Sequence, residues 1–353
     1  MTVMLTTDAV GGVWRYSLDL ARGFAEHGLD PVLAVLGPAP VPDQLAEAEG
    51  LRLIDTALPL DWTAPTPAGL RETAAALAGL ARRLRAGSVH LHTPALAADA
   101  PWSMPTVAVA HSCVGTWWQA VRGGPLPEDL AWRAAATARG LAEADAVIAP
   151  TRAFAASLAA LYRPGRPILA VHNGAARVTA APGTRAPAVL SAGRLWDDAK
   201  NAAALDRLAG AIETPVIAAG PLAGPNGERF EPRHLHAPGR VPAAELAALM
   251  RRASVFVAPS RYEPFGLAVL EAARAGMALA LADIPTFREL WGGAAMFFHP
   301  DDDAGLRHAV QQLLEDPLAC AARAGARAAE YTIDATVAAT LRVHLSVQRA
   351  MAS

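Results

Sequence analysis

The chain is nearly devoid of lysine. Of its 31 basic residues only Lys200 is lysine, and the rest are arginine. Such a bias fits a GC-rich genome in which lysine positions drift to arginine. A lysine that survives the drift marks either chance or a place where the planar guanidinium cannot replace a compact ammonium. Cysteine is almost as scarce, with Cys113 and Cys320 far apart in sequence and at no metal-ligand spacing. No disulfide framework is implied, and a reducing cytoplasm is expected. Charge of one sign is also missing. A formal net charge of −2 over 353 residues removes the electrostatic case for nucleic acid. Although 53% of residues are hydrophobic, much of that is alanine. No apolar run approaches the roughly 18 residues of a membrane span. The first residues, MTVMLTTD, enter a strand directly and show no signal-peptide n-region.

What is present is a repeating alternation of short apolar strands and amphipathic helices. The length fits about two domains. Strands are expected at VMLTTD, PVLAVLG, GLRLIDT, SVHLHTP, PTVAVAHS, DAVIAP and PILAVHNG, with helices between them. A Pro/Gly/small-residue stretch, AARVTAAPGTRAPA, reads as a linker. A second series of βα units then runs from AVLSAGRLWDDAKN to about residue 332, and a final helix from about 333 has no strand after it. The fold class is therefore α/β, with two doubly wound domains: residues 1–173, and 174–332.

The second series centres on Ser254–Asp283, SVFVAPSRYEPFGLAVLEAARAGMALALAD. It reads as strand, loop, helix and strand, with Gly276 stopping the helix. Pro264 biases Glu263 away from helical geometry, so the helix is expected to start just after it. The amides of Phe265, Gly266 and Leu267 would then be unpaired donors that favour a phosphate, by hydrogen bonding and by dipole. A carboxylate at Glu263 would repel that phosphate. It makes sense against hydroxyls, as on a sugar or ribose. Glu271 lies one to two turns further on.

By the switch-point rule, ligands sit at the carboxyl ends of the strands. Those ends carry Gly193, Arg194, Lys200, Val241, Ser260 and Glu263 in the second half. In the first half they carry Gly11, Gly12, Trp14, His111 and Asn173. Arg194 and Lys200, close in sequence and beside a helix N-terminus, suit a diphosphate. Gly11 and Gly12 let the backbone approach a ligand, or simply make a tight turn. No G-x-G-x-x-G is present, so a dinucleotide is disfavoured. His111 is a ligand contact or a satisfied core histidine. The adjacent Trp117 and Trp118 stack on a saccharide or pack internally. His90 and His92 share a strand face, as do His234 and His236, but no carboxylate or cysteine accompanies either pair at metal spacing. The helix around Arg71, Arg82, Arg83 and Arg85 is a solvated basic face, or rests on anionic lipid.

The ordered set of motifs resembles the retaining glycosyltransferases of family 4, with the GT-B fold. The residues that carry the resemblance are Gly11-Gly12, HLH at 90–92, AH at 110–111, APT at 149–151, VHNG at 171–174, SAGRL…K at 191–200, GRV at 239–241 and EPFGLAVLE at 263–271. Each is weak alone, and together they span essentially the whole chain. The resemblance implies two Rossmann-like domains facing a central cleft, with the final helix packing back on the first. It implies a nucleotide-diphospho-sugar donor, UDP- or GDP-linked, held mostly by the second domain. The acceptor would be a sugar, a lipid-linked or a small-molecule hydroxyl. Arg194 and Lys200 would neutralise the diphosphate. Glu263 would hold the sugar, Glu271 the ribose and Val241 the base through its backbone. Gly12, Gly193 and the amides of Phe265, Gly266 and Leu267 would complete the donor site. His111 would touch the transferred sugar, and Gly11, Trp117 and Trp118 would stand on the acceptor side. The family needs no metal or other cofactor. One departure is Lys200-Asn201, where the family often has Lys-Gly.

Rival readings remain. A sugar-nucleotide epimerase of similar fold would turn over without an acceptor, and a non-catalytic nucleotide-sugar binder would show no transfer. A retaining hydrolase needs carboxyls about 5–5.5 Å apart, whereas residues eight apart on a helix are ~12 Å apart along its axis.

Overall fold

The computed structural model describes residues 1–175 and 185–352, so most of the expected linker lies outside the described residues. The chain forms two compact units. One comprises Met1–Gly174 with Ile333–Ser353, and the other Ala175–Thr332.

Among the described residues the first unit holds a parallel sheet of β1 (Thr2–Asp8), β2 (Asp30–Leu36), β3 (Arg52–Asp55), β4 (Ser88–Leu91), β5 (Thr106–Val109), β6 (Ala146–Ala149) and β7 (Leu169–Ala170). Their spatial order is β3-β2-β1-β4-β5-β6-β7. The order reverses direction between β1 and β4, which makes their carboxyl ends the switch point. β4 and β5 are buried at every position, and β1 after its first residue, as expected of parallel strands covered on both faces. The helix Gly12–Glu26 follows β1 and buries Trp14, Leu18, Leu20 and Phe24.

The last helix, Ile333–Ala352, packs on Gly12–Glu26 and beside β5. Gly23 permits the approach, since a Cβ there would stand 2.3 Å from Val337 Cγ2. Thr336 Oγ1 adds a bond of 2.8 Å to the His172 carbonyl.

The second unit holds β8 (Ala186–Ala192), β9 (Val216–Ala219), β10 (His236–Gly239), β11 (Ala253–Ala258), β12 (Ala278–Ala282) and β13 (Met296–Phe298). Their order is β10-β9-β8-β11-β12-β13, all parallel. Here the reversal falls between β8 and β11. Phe256, Leu279, Leu281, Phe287 and Trp291 fill the core around it. The segment 285–291, IPTFRELW after its first residue, forms a short helix started by Pro285.

His90, His92 and His344 lie inside the first unit and His111 is half-buried after β5, and burial favours the neutral form of each. His344 is pushed down to about 4, and His111 to about 3 with some help from His92. His90 is driven well below the ordinary value by burial and then by His344, and His92 is lowered by burial. In the unfolded chain these groups titrate near the ordinary histidine value of about 6.5. Below that pH the unfolded state takes up protons that the folded state refuses. Stability is therefore full above about 6.5 and drains as pH falls toward the folded values. The thermal midpoint should drop between about pH 7.5 and pH 5, and drop less in His344→Leu. Equal slopes in the two proteins would contradict this account.

Candidate active site

The switch point of the second unit is built from two loops. After β8 the chain passes Gly193 and Arg194 and makes a 3-10 turn at Asp198–Lys200. Asp197 starts that turn by accepting from the Ala199 amide at 3.0 Å. Its other oxygen takes the Arg194 guanidinium at 2.8 Å, so Arg194 is anchored before any ligand arrives. Arg194 Nε is buried with no hydrogen-bond partner among the described residues. After β11, the loop Pro259–Gly266 runs alongside. The Arg261 amide donates to the Ala199 carbonyl at 2.9 Å, and Asn201 Nδ2 donates to the Pro259 and Pro300 carbonyls at 3.1 and 3.0 Å. Thr286 Oγ1 donates to the Glu263 carbonyl at 2.6 Å.

These bonds bring Lys200 Nζ against Glu263 Oε2 as a hydrogen-bonded ion pair. The lone lysine thus meets the carboxylate that stands before the next helix. Both side chains are largely covered, at 20% and 16% exposure, where an unpaired charge would be costly. A narrow pocket runs past them, lined by Ser191, Gly193, Ser260, Gly266 and Ala268.

Three backbone features make this geometry reachable. Gly220 ends β9, and a Cβ there would fall 1.7 Å from the Gly193 carbonyl oxygen. Gly193 N–H in turn bonds the Ala219 carbonyl at 3.0 Å, and Gly220 N–H bonds Gly239 at 2.8 Å, so the three strand ends stay in register. Asn201 sits at φ 53, a left-handed conformation that asparagine tolerates better than most residues. This explains how asparagine serves where glycine is often found. Gly266 sits at φ 91, with Phe287 Cε1 and Glu263 Cγ 3.1 and 3.3 Å from where its Cβ would be.

The helix does not begin where the sequence places it. It spans Leu267–Arg274 with Gly266 as its N-cap residue. The proline turn is followed by a left-handed glycine, and only then does the helix start. The free amides of its first turn are those of Leu267 and Ala268, because Val269 and Leu270 already bond back to Gly266 O at 3.0 and 3.2 Å. Phe265 lies before the helix. Its ring is buried at 3% and meets Tyr331 edge to face, centroids 5.9 Å apart. Glu271 lies half-buried in the second turn of the helix, and Val241 is half-buried just after β10.

A protein-family model described as "Glycosyltransferase Family 4" matches residues 10–176. A second, "Glycosyl transferases group 1", matches residues 228–331. Together they account for about three quarters of the chain.

The chain belongs to glycosyltransferase family 4.

Among curated relatives it is similar to a glycogen synthase of Mycobacterium tuberculosis, at 43% identity over 117 residues. That match covers 31% of this chain and 28% of the relative, so the curated relative is matched over little more than a quarter of its length. Among solved structures it resembles sucrose-phosphate synthase from Thermosynechococcus elongatus, with TM-score 0.81 at 17% identity, covering 99% of this chain and 100% of that one. It also resembles Anabaena HepE in complex with UDP-glucose, with TM-score 0.72 at 16% identity, covering 97% and 100% of the two chains. At such identities the likeness establishes the GT-B fold alone.

In this family 4 chain, the first unit holds the remaining candidates. Gly11 is the N-cap residue of the helix Gly12–Glu26, and Gly12 is exposed at its first position. Trp14, by contrast, is buried and donates its Nε1–H to Glu47 at 3.1 Å, so it is a core residue. His111 follows β5, its ring edge-to-face with Tyr16 at 4.5 Å. Its Nε2 is buried with no partner among the described residues. Trp117 and Trp118 occupy the helix Val114–Val121, both half-buried, with ring centroids 6.3 Å apart. Arg122 lies 5.6 Å over Trp117.

His90 and His92 serve the core. His90 meets Tyr16 and His344, and His92 Nδ1 meets Thr6 at 2.8 Å. Among the described residues no group of three or more His, Cys, Asp or Glu is placed to hold a metal ion, and no helix is long and apolar enough to cross a membrane. Asp197 escaped the sequence reading, and Asn201 entered it only as a departure from the Lys-Gly pattern. The signal for each was local: an aspartate before a short turn, and an asparagine where φ must be positive.

Gly266→Ala should lower stability by about 1–2 kcal/mol, the cost of holding a side chain in the left-handed region. Denaturant unfolding would read this directly, and an unchanged midpoint would argue against the strained cap.

Proposed function

We propose that this chain is a retaining glycosyltransferase, working without a metal, that moves a hexosyl group from a UDP- or GDP-sugar to a hydroxyl acceptor. The observation that carries the reading is the arrangement at the β8/β11 switch point. Lys200 paired with Glu263 and Arg194 paired with Asp197 stand on the two loops of this switch point, and the helix that begins at Leu267 follows the Glu263 loop. A nucleotide-sugar supplies the matching chemistry: a diphosphate for the cations and amides, and hydroxyls for Glu263.

In this mechanism the bond between the anomeric carbon and the leaving phosphate oxygen breaks. Lys200 and Arg194 stabilise the charge that develops on the diphosphate. Glu263 holds sugar hydroxyls and stabilises the oxocarbenium-like centre. The acceptor oxygen bonds to the anomeric carbon on the face the phosphate leaves, and its proton passes to the departing phosphate oxygen. Configuration is retained. Gly193 and the Gly266–Leu267 cap lie where phosphate and sugar would rest, Glu271 takes the ribose and Val241 the base. In this reading Gly12 belongs to the donor site, His111 touches the transferred sugar, and Gly11, Trp117 and Trp118 stand on the acceptor side.

The Lys200–Glu263 pair gives the transferase reading a consequence. Without donor the two charges neutralise each other, and a bound diphosphate would draw the ammonium toward itself. Polysaccharide or glycoconjugate synthesis in the cytoplasm is the setting we assign.

A thermal-shift panel of UDP-, GDP- and ADP-sugars should single out one nucleotide, at about 2.7 kcal/mol of stabilisation when the ligand is at a hundred times its Kd. No shift with any of them would refute the donor assignment. Lys200→Ala and Glu263→Ala should each reduce transfer by at least a hundredfold. Because the two are one pair, the double variant should lose little more than the worse single one. Near-normal turnover in either single variant would remove it from the mechanism. Product appearing without acceptor, as an isomerised sugar, would instead mark an epimerase.

A further inference from the structure

The first unit contains a buried polar chain that the donor chemistry does not use. Ser88 Oγ lies 3.0 Å from His344 Nδ1, His344 Nε2 lies 3.1 Å from His90 Nδ1, and His90 Nε2 lies 3.3 Å from the Tyr16 hydroxyl. All four residues are buried, at 0%, 2%, 2% and 5% exposure. The two imidazoles stack at 5.4 Å, and the Tyr16 ring stacks on His90 at 6.1 Å. Phe24 closes the side, edge to face with both histidines. The chain ends where Tyr16 meets His111 edge to face at 4.5 Å.

Each neutral imidazole has one donor and one acceptor nitrogen. The row is therefore satisfied only when every proton points the same way along it. With Tyr16 donating to His90, His90 donates to His344 and His344 to Ser88; the reverse order is equally complete. A proton added to either histidine would place a charge among buried side chains. Burial holds both neutral, which keeps the row intact. His111 is in a different position. Its Nε2 has no partner among the described residues, and its ring meets Tyr16 edge to face at 4.5 Å.

We propose that Tyr16, His90 and His344 are positioning residues for His111: the hydrogen-bonded row fixes the Tyr16 ring, and that ring fixes the imidazole that faces the transferred sugar. The last helix thereby takes part in the site through His344, although it holds no candidate contact with substrate. The inference rests on the role assigned to His111 above.

The test uses full-length protein labelled at histidine, with ring signals assigned by single substitution. Tyr16→Phe keeps the ring and removes the hydroxyl; His344→Leu removes the far end of the row. Both should shift or broaden the His111 ring signals. With UDP-glucose as probe, both should lower kcat at least tenfold with KM and UDP affinity unchanged, since the diphosphate site is in the other unit. Val337→Ala trims the packing of the same helix and should leave the His111 signals in place. Unchanged His111 signals in Tyr16→Phe would overturn the proposal, and so would an equal shift in Val337→Ala. If the unmodified protein bound no nucleotide-sugar, the transferase reading would fall, while the His111 signals would still decide the positioning.

Discussion

Lys200 and Glu263 come from loops 63 residues apart, and their pairing governs how the second unit arranges its strand ends. A mostly covered ammonium and a mostly covered carboxylate are each unfavourable alone. Together they permit two charges of opposite sign to remain at the strand ends of the second unit. The neighbouring bonds serve that pairing. Arg261 and Asn201 stitch the loop after β11 to the turn after β8, and Thr286 holds the Glu263 backbone. Arg194, tied to Asp197, is preorganised in the same way.

Side-chain chemistry at this site depends on backbone positions that most residues would not tolerate. Gly220 allows β9 to end against Gly193, and Gly266 turns the chain from the Glu263 loop into the helix that follows. Asn201 performs a third turn with a side chain that also bonds two carbonyls. The departure from the common Lys-Gly pattern is therefore conservative in geometry, and it adds two contacts that glycine would lack.

The first unit follows a different economy. Buried histidines and hydroxyls lie near its switch point. The histidines are kept neutral by burial and by one another, and one row of them joins the last helix to β4 and to the first helix. That helix follows the entire second unit in sequence, yet Val337 seats against Gly23 and His344 against His90. Packing of this kind links distant segments through shape and through hydrogen bonds that water cannot replace once they are buried.

The sequence by itself determined the βα alternation, the strand positions, and the placement of Lys200, Arg194 and Glu263 at strand ends, because strand periodicity and loop composition are local properties. It also marked Lys200 as unusual through composition alone. It mislaid the helix start by treating Pro264 as the boundary, when the left-handed Gly266 sets it. It placed Trp14 among the ligand-facing candidates, although that side chain belongs to the core. Tertiary structure alone decided that Lys200 meets Glu263 and that Tyr16 lies between His90 and His111. Those relations join residues from different βα units, and no short window of sequence contains both partners. Hydrogen bonds and ion pairs act over about 3 Å, so only the folding of the two sheets brings the partners within reach.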